Sequence, residues 1–271
     1  MLGTGRTNVI PEGMIWRMDR ILLADPVGSP LRIRARDGLS MVPPNCNLLL
    51  EMLPSEYRAS LRSRMEAISL PVDTVLYRPG QRPKYAHFMT SGIASIVVLM
   101  ADGNGPEVGL IGREGLVEGF HLLGPASVPT SGLIRIEGTA LRIPYAELQR
   151  DFAACEPLRR RILESVQIRC LIGSQIAACN RLHGLEQRLA RWLLMVQDRI
   201  GGSMSFLTQQ FLAEMLGAQR TSVNSATGSL QRSGLIEYRR GHVRILDREA
   251  LESAACECYP IVQNLMRNHH P

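Results

Sequence analysis

The sequence contains a single lysine, Lys84, so nearly all of its 31 basic residues are arginines. It also lacks any apolar run approaching the roughly 20 residues that a membrane helix needs, and its longest candidates, such as 93–100, have the length of a strand. Residues 1–43 hold no continuous apolar stretch, so we predict neither a membrane segment nor a secretory signal. With 271 residues, the chain is long enough for two ordinary domains.

The cysteines do not follow the spacing of a zinc motif, and a chain of this length needs no disulfide staples. There are six of them: Cys46, Cys155, Cys170, Cys179, Cys256 and Cys258. Cys256 and Cys258 could form a thiol or metal pair, but two ligands alone make a poor metal site, and the alternative is a structural role. We therefore expect reduced cysteines, a cytoplasmic protein and no metal site.

No paired acids, nucleophile–base set or phosphate-binding loop stands out, so we do not expect an enzyme. The formal net charge of +6 favours an anionic partner. An excess of arginine over lysine also arises from genome composition. The position of the charge along the chain must therefore decide between an anionic partner and genome composition as its origin.

The residue pattern of the first part of the chain changes twice. Residues 1–43 mix glycine, proline and arginine without periodicity, which is typical of a flexible arm. A short helical stretch is predicted between Leu53 and Leu70. Beyond it, short apolar segments alternate with glycine and proline turns, which indicates an antiparallel sandwich or barrel. The predicted strands are 72–77, 87–90, 93–100, 108–111, 133–137 and 140–143.

After Pro157 the apolar period becomes that of a helix of about 24 residues. The repeating positions are Leu158, Ile162, Val166, Cys170, Gly173 and Ala177. Such a length suits the seam of a dimer, and the alternative is a helix packed on its own domain. A second helix follows over 185–200, with Leu189, Trp192 and Val196 on one face. We divide the chain into an arm (1–43), a sensor domain (44–154), a dimerisation helix (155–182) and a C-terminal domain (183–271), an α+β fold overall.

The strongest pattern lies in residues 208–246. Thr208 can cap a helix over 209–216, and Gly217 follows where the chain needs a left-handed residue. A second helix over 219–233 turns Val223 inward. A small residue, a turn glycine and an inward-facing apolar residue follow one another here at the spacing of a helix-turn-helix.

The opposite face of that second helix carries polar side chains and no acid: Gln219, Arg220, Thr221, Ser222, Asn224 and Ser225. Arginine reads guanine, asparagine and glutamine read adenine, and hydroxyls suit phosphates or the thymine methyl. A hairpin follows with a basic tip over 239–242, and we expect Asp247 to cap a last helix after it. We therefore predict DNA contacts from this face and from Thr208, Gln209, Arg239 and Arg240. The alternative is a helical hairpin with a solvated polar face.

Charge is concentrated in the same region. Between Arg181 and Arg248 there are ten arginines against five acidic residues. This local excess favours nucleic-acid binding over genome composition as the origin of the positive charge.

From about residue 45 to 250 the chain resembles the Crp/Fnr superfamily. The resemblance rests on residues 207–251, LTQQFLAEMLGAQRTSVNSATGSLQRSGLIEYRRGHVRILDREAL, and on RPGQ at 78–81. It implies a jelly-roll sensor domain, a dimerising helix and a winged helix-turn-helix, acting as a homodimer on palindromic DNA with RNA polymerase as a further partner. Arg220 matches the family's guanine-reading arginine. Thr221 and Ser225 depart from the family pattern, so we expect a different operator from that of the cyclic-AMP receptor protein.

The sensor region departs further from the cyclic-nucleotide binders of that family. Its turn is Gly112-Arg113-Glu114-Gly115, and no arginine or lysine lies between Arg113 and Arg135 to hold a cyclic phosphate. A buried phosphate without a cation is costly, so cyclic AMP is not expected. Gly112, Glu114 and Ser174 stand as candidate effector contacts.

Two other cofactors of the family are not expected either. Cys46 stands alone in the N-terminal part, so the cysteine cluster of the iron–sulfur members is missing. No haem-ligand pattern is evident, and His87 and His121 are interpreted as ordinary surface or core residues. The sequence thus favours an effector-controlled, DNA-binding transcription regulator. The alternative is a small-molecule sensor that acts through protein contacts, with vestigial DNA binding.

Overall fold

The structure, a computed structural model, describes residues 46–101, 105–201, 204 and 207–269. Every described residue belongs to one compact unit of the chain. The predicted arm over 1–43 lies outside the described residues. No helix in the described part combines the length and the apolar character that crossing a bilayer requires.

Two short helices open the described chain, α1 (Leu48–Glu51) and α2 (Ser55–Ser63). The buried Asn47 caps α1, since its side-chain oxygen accepts a hydrogen bond from the backbone N–H of Leu50 at 3.1 Å. The predicted helical stretch up to Leu70 is wrong in its second half. Residues Glu66–Leu70 form a strand because they pair with a distant strand and turn Leu70 into the core between two sheets.

Seven antiparallel strands form two sheets, so the predicted sandwich and the α+β class are confirmed. The strands are β1 (Glu66–Leu70), β2 (Val75–Tyr77), β3 (Tyr85–Met89), β4 (Ile93–Val98), β5 (Glu107–Ile111), β6 (Thr130–Ile136) and β7 (Gly138–Pro144). One sheet has the order β1-β7-β3 and the other β2-β6-β4-β5. Inward-facing residues of both sheets, such as Met89 and Ile134, form the core between them.

After a short helix α3 (Tyr145–Ala154), the predicted long helix is confirmed as α4 (Glu156–Leu182), with 27 residues. Its first half packs on its own domain, because Leu158, Ile162 and Val166 are buried with the outer face of the β1-β7-β3 sheet. Its second half partly buries Ile172 and Ile176 against the C-terminal cluster and exposes Leu171. Packing on its own domain is therefore observed for the first half, and the dimer seam stays a prediction.

The C-terminal part is mainly helical and carries one hairpin. Its elements are α5 (Leu185–Ile200), α6 (Gln209–Leu216), α7 (Arg220–Arg232), β8 (Ile236–Arg239), β9 (His242–Ile245), α8 (Arg248–Ala254) and α9 (Cys258–His269). Asp247 caps α8, as predicted, by accepting from the N–H of Ala250 at 2.9 Å. We expected α8 to be the last helix, and α9 corrects this: Pro260 lies in its first turn, where a missing N–H costs nothing.

The sandwich packs directly against the C-terminal part. Ile93 of β4 belongs to the same buried cluster as α5, α6 and α7. Two polar contacts cross this boundary: Trp192 Nε1 donates to Glu107 Oε1 at 2.9 Å, and Arg199 Nε donates to Glu114 Oε1 at 2.8 Å. The sensor region and the helix-turn-helix region are therefore joined by a shared apolar cluster and by two polar contacts.

Candidate nucleic-acid interface

Helix α6 begins and ends as its sequence predicts. The Thr208 hydroxyl accepts a hydrogen bond from the N–H of Phe211 at 3.1 Å, which satisfies one of the free donors of the first turn. Gly217 ends the helix with φ of 57°, in the left-handed region. The N–H of Ala218 then donates to the carbonyl of Ala213 at 3.0 Å. These contacts fix the sharp turn between α6 and α7.

Helix α7 has two contrasting faces. Val223, Ala226, Thr227 and Leu230 are buried, and the Thr227 hydroxyl is satisfied by the carbonyl of Val223 at 2.8 Å. The other face is open to solvent. It consists of the six residues predicted for it, all exposed: Gln219, Arg220, Thr221, Ser222, Asn224 and Ser225. The apolar side of α7 is therefore buried, and no part of the described chain covers its polar side.

The hairpin after α7 is shorter at its tip than we expected. Arg239 pairs with His242, so only Arg240 and Gly241 form the turn, with φ of 51° and 80°. Two left-handed residues make the type I′ turn that matches the twist of a hairpin. The predicted basic tip over 239–242 therefore consists of the last strand pair and a two-residue turn.

The hairpin is tied to the start of α6. The carbonyl of Gly241 accepts from the N–H of Leu207 at 2.8 Å, and the Tyr238 hydroxyl donates to the carbonyl of Leu207 at 2.9 Å. Burial raises the pKa of the Tyr238 phenol, and the nearby Arg220 guanidinium acts in the opposite direction. The hairpin, Thr208 and the polar face of α7 thus form one connected surface.

Three arginines give this surface its charge. Arg220, Arg239 and Arg240 are exposed, and none of them forms an ion pair with a described residue. Arg244, by contrast, is paired with Glu237 at 2.7 Å. Of the other predicted contacts, Thr208 is exposed and Gln209 is half-buried. The surface can therefore offer unpaired cations and hydroxyls to an anionic partner.

A second feature is a cavity of about 790 Å³ between the sandwich and α4. Its lining is largely apolar and includes Ile96, Phe120 and Ile172, together with Glu114. Glu114 lines the cavity but Gly112 does not, although the N–H of Gly112 donates to Glu114 Oε1 at 3.1 Å. Ser174 is not among the lining residues; it is exposed on α4, and its hydroxyl donates to the carbonyl of Cys170 at 3.0 Å.

Two arginines that sequence reasoning missed also line this cavity. Burial opposes ionisation of Glu114, but the Arg199 guanidinium and backbone N–H groups hold the pKa of that carboxyl below its usual range. Arg169 is half-buried over the Phe120 ring and donates to the carbonyl of Leu116 at 3.2 Å. Among described residues no carboxylate forms an ion pair with Arg169. Both cations come from helices far along the chain, so a search of the turn itself could not find them.

The interpretation of Cys256 and Cys258 as an isolated pair is corrected by the structure. Cys179 and His183 lie beside them, and one ligand atom of each of the four residues lies within 4.8 Å of the others. His87 is buried against Glu118, with Nδ1 at 2.7 Å from Oε1. Burial lowers the pKa of His121, and its two buried ring nitrogens have no hydrogen-bond partner among the described residues.

Comparisons with known proteins agree with this geometry. The family model of the Crp-like helix-turn-helix domain matches residues 187–254. No curated protein sequence matches the chain at a significant level.

Solved structures share the fold at low sequence identity. The regulator CLP of Xanthomonas campestris, described as responsive to c-di-GMP, is 20% identical over 72% of this chain and 100% of its own, with a TM-score of 0.58. FixK2 of Bradyrhizobium japonicum is 14% identical over 71% and 98%, with a TM-score of 0.61. A Crp/Fnr-family regulator of Eubacterium rectale is 16% identical over 76% and 96%, also with a TM-score of 0.61. Residues 187–254 therefore belong to the Crp-like helix-turn-helix domain family, and the described chain has the fold of the Crp/Fnr regulators.

Proposed function

We propose that this protein is a sequence-specific DNA-binding transcription regulator of the Crp/Fnr type. One observation carries the proposal: six polar residues and no acid form the exposed face of α7, beside a hairpin whose Arg239 and Arg240 are unpaired. This surface lies within the region that matches the Crp-like helix-turn-helix domain. A polar helix face with a free N-terminus next to a basic hairpin suits a major groove and its flanking phosphates.

The contacts divide into two classes. Arg220, Thr221 and Asn224 near the start of α7 are placed to read base edges, with Arg220 suited to the O6 and N7 of guanine. Thr208, Gln209 and the hairpin arginines are placed to contact phosphates, which sets register without reading sequence.

We propose a homodimer joined along α4 from Leu163 onwards. This stretch exposes residues at alternating spacings of four and three, the repeat of a coiled-coil seam. They are Leu163, Gln167, Cys170, Ser174, Ala177 and Arg181. Leu171 and Ala178 border this stripe and are also exposed. Two copies would present two recognition helices to half-sites about 34 Å apart on a palindromic operator.

The test begins with selection of DNA from a random-sequence pool by the full-length protein. The selected site is then bound at fixed salt to Arg220→Ala and to Arg232→Ala, a control arginine at the far end of the same helix. We expect Arg220→Ala to weaken binding by about 1–3 kcal/mol and to relax one guanine preference, while Arg232→Ala leaves that preference unchanged. Equal preference in both variants would contradict the assignment of α7.

The same selection distinguishes the two alternatives. A sensor with vestigial DNA binding would enrich no sequence and would show weak binding at all salt concentrations. A general nucleic-acid binder would enrich no sequence but would lose affinity steeply with salt. The proposed function requires an enriched, two-fold symmetric sequence.

We further propose that the 790 Å³ cavity holds an effector. Its apolar walls and the half-buried Arg169 suit a largely apolar small molecule with one anionic or hydrogen-bond-accepting group. A Cβ added at Gly173, which lines the cavity, would meet no atom within 4 Å, so Gly173→Leu should narrow the cavity. A small molecule that raises the melting temperature of the parent should fail to do so for Gly173→Leu. An equal rise in both would place the effector elsewhere.

A further inference from the structure

The end of α4 and the segment between α8 and α9 bring three cysteines and a histidine together. Cys179, Cys256 and Cys258 are each at most 3% exposed and form a small buried cluster of their own. Cys179 Sγ lies 3.5 Å from Cys256 Sγ, and Cys258 Sγ lies 3.6 Å from His183 Nδ1. The cysteines are free, so no disulfide explains these distances.

These distances match the edges of a tetrahedral metal site. A zinc ion with bonds of about 2.3 Å to sulfur and about 2.0 Å to nitrogen separates its ligand atoms by about 3.5–3.8 Å. All four ligand atoms lie within 4.8 Å of one another, so the longest separation must shorten by at most about 1 Å when one ion binds. Three thiolates and one imidazole form a soft ligand set of the kind that selects zinc over magnesium or calcium.

The surroundings of the cluster orient its ligands. His183 Nε2 lies 3.1 Å from Glu257 Oε1, so an N–H on Nε2 donates to that carboxylate and leaves the Nδ1 lone pair directed towards the sulfurs. Metal-bound histidines are commonly held by a carboxylate in this way. Gln175 Nε2 also donates to Cys258 Sγ at 3.1 Å, which further fixes the position of that sulfur.

A buried cation supplies an independent observation. Arg191 is 3% exposed, its Nε has no hydrogen-bond partner, and no described carboxylate forms an ion pair with it. Its Nη1 donates to Met195 Sδ at 3.1 Å, and its charge lies within electrostatic range of Cys179 and of Glu107. A buried, unpaired guanidinium is costly, and a zinc ion with three thiolates carries one net negative charge that would compensate it.

We propose that Cys179, His183, Cys256 and Cys258 bind one thiophilic divalent cation of the zinc class. The ion joins the end of α4 to the segment that starts α9. It thereby links α9 to the end of α4. The link lies next to residues 182–184, which connect α4 to the helix-turn-helix region. The site is independent of the proposed DNA contacts.

Metal content tests the proposal directly. The full-length protein, purified under reducing conditions and incubated with zinc, is expected to retain about one zinc per chain after desalting, as measured by elemental mass spectrometry. The double variant Cys256→Ser, Cys258→Ser should retain less than a tenth as much. Cys170→Ser, which removes an exposed cysteine of the same α4, should retain as much as the parent.

Two further measurements keep the test valid if the double variant fails to fold. Cobalt added to the metal-free parent should give the intense visible bands of a tetrahedral thiolate site. Glu257→Gln, at an exposed side chain, should fold normally and bind zinc about 10-fold more weakly in competition with a chelator. A parent that holds less than a tenth of an equivalent of zinc, or a Cys179–Cys256 disulfide in place of the metal, would overturn the proposal.

Discussion

The contact between Glu107 and α5 should make the stability of the protein depend on pH. Glu107 Oε1 accepts from Trp192 Nε1 at 2.9 Å and Glu107 Oε2 accepts from Ser95 Oγ at 2.5 Å. Burial raises the pKa of Glu107 to about 7, although both hydrogen bonds act in the opposite direction. The perturbation we propose is Glu107→Gln, which keeps an acceptor for Trp192 and removes the titratable proton.

The sign and size follow from linkage. Between pH 4.5 and about 7, Glu107 is protonated in the folded protein and ionised in the unfolded chain, so the free energy of unfolding falls as pH rises through this window. At about 1.4 kcal/mol per pH unit, the total loss is about 3 kcal/mol. Above pH 7 this contribution is constant. Glu107→Gln should therefore equal the parent near pH 4.5 and exceed its stability at pH 8 by about 3 kcal/mol.

Urea unfolding at several values between pH 5 and pH 8 measures this difference. The chain contains two tryptophans, so a Trp16→Phe background leaves Trp192 as the only tryptophan that reports the transition. Subtracting the parent curve from the variant curve isolates the contribution of Glu107. Parallel pH profiles, or a variant less stable than the parent at pH 8, would refute the reasoning.

Three further predictions follow from the helix ends and from α4. Thr208→Ala should lower the free energy of unfolding by about 1 kcal/mol because α6 loses its cap, and Thr208→Ser should restore it, as urea unfolding would show. Gly217→Ala should lower the free energy of unfolding by about 1–2 kcal/mol in the same assay, because φ of 57° strains alanine although its Cβ would have room. Gly217→Asn should lower it less, because asparagine adopts this left-handed conformation more readily. Leu171→Glu should convert the proposed dimer to monomer in analytical ultracentrifugation, because it places a charge at the exposed seam; unchanged mass would contradict that seam.

The helix-turn-helix was predictable because its signals are local. The Thr208 cap, the left-handed Gly217 and the apolar period of α7 all lie within a few residues of the structure they specify. The predicted helix over 185–200 agrees with α5 for the same reason. Helix α9 escaped prediction, and so did β1, whose state depends on pairing with β7 some 70 residues later.

The sites that were missed are assembled from distant parts of the chain. Cys179 and Cys256 are 77 residues apart, so neither their spacing nor that of Cys256 and Cys258 could reveal a four-ligand cluster. Arg199 reaches Glu114 from 85 residues away, so the cations of the cavity could not be found in the turn that carries Glu114. Sequence patterns report local backbone preferences, and these two sites depend on tertiary packing alone.

The central claim, that the polar face of α7 enters a DNA groove, can be tested by site-specific cross-linking. A photo-reactive residue would be incorporated at Asn224, on the exposed face of α7, and in a control protein at Ala59, exposed on α2 of the sensor region. We predict that position 224 cross-links to bases of the selected operator and that position 59 does not. Equal cross-linking from both positions, or none from 224 while the operator is bound, would contradict the claim.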